Sequence, residues 1–162
     1  MRQFVIATKD AVAQGNWYTA LALALTVPDI CGKIQNPSKS SKARFVEWYD
    51  RFLLKRYQAN IGASRMLHTF LSGLDCYASR CAFLHQGEFG IDDQRVRRAL
   101  QYFHFTAPQQ GFLVHMNQIN NVLQLQIDQF CLDVSGAVDE WLVVVADDKD
   151  IQARLAKLAS IG

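Results

Sequence analysis

Two side chains five positions apart are the ones whose types best suit chemistry. They are Arg80 and His85, in the stretch Leu74-Asp-Cys-Tyr-Ala-Ser-Arg-Cys-Ala-Phe-Leu-His-Gln-Gly87. Histidine moves a proton near neutral pH. Arginine carries a permanent charge on a planar fork that fits phosphate oxygens. A structural role is equally open. At ~100° per residue, His85 falls near the centre of the apolar stripe, close in angle to Leu74, Ala78 and Cys81, with Arg80 about 140° away. On that geometry His85 is a core or capping histidine favoured by the helix dipole, and Arg80 is an ordinary flank charge.

The remaining polar groups are less specific. Arg95, Arg97 and Arg98 form a small basic cluster that can meet RNA phosphates or simply face water. Asp29 interrupts an apolar helical run, where an unpaired carboxylate is costly. It therefore calls for a partner or a site role, or else it caps the helical segment after Pro28, which is the preferred reading. His104 and His115 are expected to face each other across a hairpin, but no carboxylate or thiol completes a metal site, and His68 has no evident partner. Cys31, Cys76, Cys81 and Cys131 show neither C-x2-C nor zinc spacing and are expected to be reduced thiols, mostly buried. There is no glycine-rich phosphate loop and no G-x-S-x-G. The expectation is a chain that needs no metal and no cofactor.

The elements that position these groups follow from the spacing of apolar residues. Residues 2–14 read as a first helix closed by Gly15-Asn16, with Asn16 capping the next. The second runs from Trp17 to about Ile34, apolar nearly all round its first half, as befits the middle of a bundle. Pro28 predicts a kink or break there. A third helix spans Lys42 to about Tyr57 on a stripe of Phe45, Trp48, Tyr49, Phe52 and Leu53. A fourth spans Arg65 to Gln86 on Leu67, Phe70, Leu71, Leu74, Tyr77, Ala78, Cys81 and Leu84, with Gly87 as its stop. Residues 92–100 suit a short helix or turn. Strands are expected at 101–106, 112–117 and 122–127, with Asn120-Asn121 as a tight turn. Helices return at 129–145 and 149–159. The expected fold class is therefore mainly α, with a small antiparallel β-segment (101–127) inserted before the last bundle helix.

Half of the 162 residues are hydrophobic, enough for one domain over 1–162 to build its own core. A net charge of +2 and a pI of about 8.4 are too balanced to argue for nucleic acid, and they leave room for a local basic patch. The longest apolar run, Ala20 to Leu25, is far short of the ~20 residues of a membrane span, and the amino terminus lacks the form of a signal peptide. A cytoplasmic protein with no membrane contact is expected.

An Arg-x4-His pattern late in a helical bundle resembles the HEPN superfamily (higher eukaryotes and prokaryotes nucleotide-binding domains). The two preceding helices strengthen the likeness: the apolar Ala20-Leu-Ala-Leu-Ala-Leu-Thr-Val-Pro-Asp-Ile-Cys-Gly32 and the aromatic Phe45-Val-Glu-Trp-Tyr-Asp-Arg-Phe52. It covers roughly residues 2–87 plus the helix from Gln129. The resemblance implies a metal-independent endoribonuclease, in a toxin or phage-defence setting, in which the ribose 2′-hydroxyl attacks phosphorus and leaves a cyclic phosphate. Arg80 would clamp the phosphate and His85 would act as acid and base, with Asp29 and Asp75 as accessory groups. It further implies a homodimer whose paired motifs line one cleft, an RNA substrate and a regulatory protein partner. The chain departs from many catalytic members in having Cys81 directly after the arginine, and from one toxin group in having Gly87 where a tyrosine stands. A non-catalytic dimerising or regulatory module with the same fold is the alternative.

Overall fold

The structure is a computed structural model that describes residues 1–86 and 102–159, with only the backbone described at positions 85, 86 and 102. The segment carrying Arg95, Arg97 and Arg98 therefore lies outside the described residues.

Helix α1 (Arg2–Ala13) ends where Gly15 turns the backbone to a φ of +68°, and Asn16 then accepts the Thr19 amide to cap α2 (Trp17–Gln35). Ala20, Leu21, Ala24, Leu25, Val27 and Cys31 of α2 are all buried. The reason is position: α2 packs against α1, α3, α4, α5 and α6. The helix runs through Pro28 without a break. Proline deletes one amide donor, and burial of α2 on several sides outweighs that loss. Near its end, Gly32 allows a close approach to the next helix. A Cβ there would lie 2.6 Å from the Arg44 carbonyl oxygen.

Ser40 caps α3 (Ser41–Phe52), whose Phe45, Trp48, Tyr49 and Phe52 enter the core. The expected helix to Tyr57 instead ends at Phe52, and a 3-10 turn (Leu54–Tyr57) buries Tyr57. An antiparallel hairpin follows, β1 (Gln58–Ile61) and β2 (Met66–Thr69), where a connection and then a helix were expected. Arg65 and Gly62 take the positive φ values of the turn. The helix assigned from Arg65 actually starts at Gly73, because Ser72 supplies a cap there. The Ser72 hydroxyl accepts the Asp75 amide and donates to the Asp75 carboxylate, which closes the first turn of α4 (Gly73–Gln86).

The face that α4 buries also differs from the expected stripe. Asp75, Cys76, Ala78, Ser79 and Ala82 are buried, whereas Leu74 is 47% exposed and Tyr77, Cys81 and Leu84 are only partly covered. Small side chains let α4 lie close against its neighbours, so the large apolar residues fall toward the outside.

The late sheet has the order β3–β5–β4, from β3 (Tyr102–Thr106), β4 (Asn117–Ile119) and β5 (Val122–Gln126). β4 and β5 form an antiparallel hairpin through Asn120-Asn121, both at positive φ as a two-residue turn of this type requires. β3 lies parallel to β5, with Phe103 opposite Leu123 and Phe105 opposite Leu125. Residues 112–116 hold no ladder and the second strand is confined to 117–119, because the chain must cross over to bring β5 beside β3 in the same direction. Gln126 ends β5 and is also the N-cap of α5 (Ile127–Val144). The fold class is thus mainly α, with small antiparallel strand pairs, the later one directly preceding α5.

Phe130, Cys131, Val134, Ala137, Val138 and Trp141 of α5 complete one hydrophobic cluster that reaches from Met1 to Ile151. The Trp141 indole donates to Gln35 at 2.8 Å. Asp148 caps α6 (Lys149–Leu155), shorter than the expected 149–159, and Arg154 Nε donates to the Ile34 carbonyl at 2.6 Å. Among the described residues, no helix is long and apolar enough to cross a membrane.

Candidate active site at the junction of three helices

Asp29, Arg44 and Arg80 come from three different helices and meet at one point. The Asp29 carboxylate accepts from Arg80 Nη2 at 3.1 Å, from Arg44 Nε at 3.2 Å and from the Ser41 hydroxyl at 2.9 Å. All three charged side chains are largely buried, with 14–17% of each exposed. Asp29 is therefore an interior residue of α2, and the capping role assigned to it does not hold. The alternative weighed beside it, a buried carboxylate that requires a partner, does: it has two cationic partners.

The cluster exists because of the local packing. Gly32 lets α3 approach α2 closely enough for Arg44 to reach back one turn to Asp29. Ser41 occupies the first turn of α3, so its hydroxyl points at the same carboxylate. Arg80 arrives from α4, across the small-residue face. Its guanidinium carbon sits 5.8 Å from the centre of the Tyr77 ring, and Nη1 approaches the Cys81 sulfur at 3.9 Å. Burial raises the Tyr77 hydroxyl above its ordinary value, with the neighbouring Cys81 acting the same way, while Ser41 and Arg80 oppose it.

Two guanidinium groups on one carboxylate leave the junction with a surplus positive charge. Arg44 has a further acceptor, the Lys39 carbonyl at 3.3 Å. Arg80 Nε is buried and, among the described residues, has no hydrogen-bond partner. Nε is enclosed, so an anion could meet this planar cation only at its Nη edge, where 14% of the side chain is exposed.

His85 lies in the last turn of α4, and its side chain is outside the described residues. Helix geometry places position 85 between Leu74 and Ala78, and position 80 about 140° round the axis. The sector between them carries Leu74, Tyr77, Cys81 and Leu84, the partly open side of α4. The buried side is centred about a quarter turn beyond Ala78.

Asp75 does something else. It closes the first turn of α4 with Ser72, and burial raises its carboxyl above the usual range while the Ser72 hydrogen bonds pull it back. Position 75 is about 140° and one and a half turns from Arg80, so the structure does not join it to the Asp29 cluster. Arg44 and Ser41, in contrast, belong to the cluster, and no motif in the sequence marks them. A clue to Arg44 was its spacing from Ser40, which sets it in the first turn of an aromatic helix beside Gly32.

His104 and His115 do not face each other. His104 is exposed opposite Gln124 on the sheet, while His115 packs against Tyr57 and Asp133. His68 does have a partner, Gln118 of β4, at 3.0 Å. All four cysteines are free thiols; Cys31, Cys76 and Cys131 are buried, and burial pushes Cys131 up to about 12. Comparison of the chain with protein-family models, with curated proteins and with solved structures returns no match.

Proposed function

We propose that the chain is a HEPN-like, metal-independent endoribonuclease that uses Arg80 and His85. The observation that carries this reading is the placement of Arg80. It is fixed by Asp29, keeps 14% of its side chain exposed, and flanks the same open sector of α4 whose other border is position 85. In the proposed reaction the phosphate between two nucleotides binds against the Arg80 fork. The 2′-hydroxyl loses its proton and forms a bond to phosphorus, and the 5′-oxygen leaves with a proton, so that a cyclic phosphate remains. His85 is the group that takes and returns protons near neutral pH. Arg80 offsets the charge that grows on the phosphate oxygens. A homodimer supplies the second wall of the cleft, with the two open sectors facing each other, and a regulatory partner would act by covering that sector.

A second reading has its own support. Arg80 is 86% covered and ion-paired, which also suits a residue that only ties α4 to α2. The chain would then be a dimerising or regulatory module without activity. Cleavage of a structured RNA by purified protein in EDTA separates the two. The nuclease reading expects products ending in cyclic phosphate and a loss of about 10²–10⁴ in rate for His85→Ala, with an unchanged melting temperature. Wild-type protein that leaves RNA intact, or a His85→Ala variant that cleaves normally and melts lower, selects the module instead.

A further inference from the structure

Away from the Arg80 junction, a second polar cluster ties the sheet to the bundle, and His115 is at its centre. Only 6% of the His115 side chain is exposed. It belongs to the irregular segment 107–116, which links β3 to β4 and presents Phe112 and Leu113 to solvent at 72% and 71% exposure. Two hydrogen bonds hold this segment to one residue at the β5–α5 junction. The Val114 amide donates to Gln126 Oε1 at 3.3 Å, and the Gln126 amide donates to His115 Nδ1 at 3.3 Å.

The second bond fixes a protonation state. A backbone amide can only donate, so Nδ1 must present a lone pair, and the ring is neutral with its proton on Nε2. Nε2 is buried, has no hydrogen-bond partner among the described residues, and stands 3.6 Å from Asp133 Oδ2. That is too long for the bond the pair could make. The groups around the ring are few. From α5 come Asp133, whose two oxygens also accept from the Tyr57 hydroxyl and Gln129, and Asp128, which holds the Gln126 side chain at 2.9 Å. From the 3-10 turn comes Tyr57, its ring centre 5.7 Å away and its hydroxyl kept neutral by burial and by Asp133. Arg56 beside it is engaged by Glu140.

We propose that His115 is a proton-operated latch on the 107–116 segment. A proton taken from solvent by the Nδ1 lone pair turns that atom into a donor facing the Gln126 amide, so the bond between them is lost. The imidazolium has a carboxylate in reach at Nε2, and closing the gap to Asp133 forms a charge-assisted pair. The ring thereby exchanges Gln126 for Asp133, and the segment carrying Phe112 and Leu113 shifts its hold from the Gln126 amide to α5, with the Val114 amide still on the Gln126 side chain.

Proton–nitrogen NMR of the intact chain between pH 8 and pH 5 tests this. The His115 ring and the Val114 and Gln126 amides should titrate with one midpoint, separate from those of His68 and His104. Protection of the Gln126 amide against hydrogen exchange, corrected for intrinsic pH dependence, should fall about tenfold in acid, the factor expected from one lost hydrogen bond. His115→Asn keeps an acceptor at the Nδ1 position and does not titrate, so both amide responses should vanish. The latch is overturned if His115 titrates while Gln126 stays protected, if the ring remains neutral down to pH 5, or if the asparagine variant keeps the response. Should that variant fail to fold, the wild-type titration decides alone.

Discussion

The Asp29 junction and the His115 junction both sew separate elements together through a buried carboxylate, and they differ in what surrounds it. Asp29 meets two permanent cations and a hydroxyl, so its charge is compensated at every pH where the protein is folded. Asp133 meets a tyrosine, a glutamine amide and an imidazole that accepts from the Gln126 amide, with no permanent cation among them. The first is therefore a fixed electrostatic rivet with cationic surplus, suited to holding an anion. The second is a balance between hydrogen bonds, suited to responding to protons. Two carboxylates of similar burial acquire opposite characters from the residue types opposite them.

The contrast can be broken most severely at Asp29. Asp29→Ala strands two buried guanidinium groups and should cost about 3–5 kcal/mol, the usual penalty for removing one partner of a buried pair. Urea denaturation measures this directly. A loss under 1 kcal/mol would show that water reaches both arginines and that the junction is not a rivet.

At the second junction the corresponding change should be gentler. Asp133→Ala leaves the Tyr57 hydroxyl and the Gln129 amide without their acceptor, which should lower stability by about 1–3 kcal/mol. The comparison sharpens if the two measured losses keep this order, and fails if Asp133→Ala is the more damaging.

The smallest expected effect comes from Asp75, which belongs to neither junction. Burial raises its folded-state carboxyl above 3.8, so the folded chain holds the proton more tightly than the unfolded chain. Stability conferred by this group is present below the unfolded value and is lost as pH rises through the folded one. Thermal melts from pH 4 to pH 6 should show this drift in wild type and not in Asp75→Asn. A drift unchanged by the substitution would assign it to another carboxyl, of which Asp50, also raised by burial, is the first to examine.

Much of the helical frame was legible because long apolar helices advertise themselves. Ala20 to Leu25 could only be central, and the Phe45, Trp48, Tyr49, Phe52 stripe had one sensible face. The region 58–72 was not legible. Its strands have four residues each, Met66 and Leu67 are exposed rather than inward, and Leu67, Phe70, Leu71 and Leu74 imitate a helical period. The Ser72 to Asp75 cap was the true start signal, masked by that apparent continuity. Strand direction was hidden for a different reason, since alternation is the same in parallel and antiparallel strands. The site was half visible. Arg80 and the need of Asp29 for a partner could be read locally, but their contact spans 51 positions and Arg44 joins only through a helix crossing. Asp133, on a helix beyond the sheet, gave no local sign that it would meet His115.

The seam between β5 and α5 sets a rule about chain length. Gln126 serves as the last residue of the strand and the cap of the helix, with nothing between them. Inserting one residue there would either turn Leu123 and Leu125 to the wrong face of the sheet or swing α5 by about 100°, taking Phe130 and Trp141 out of register. The same insertion between Ala107 and Leu113 meets only exposed chain. Descendants of this sequence can thus vary in length on one side of the sheet, while on the other the count of residues is itself inherited.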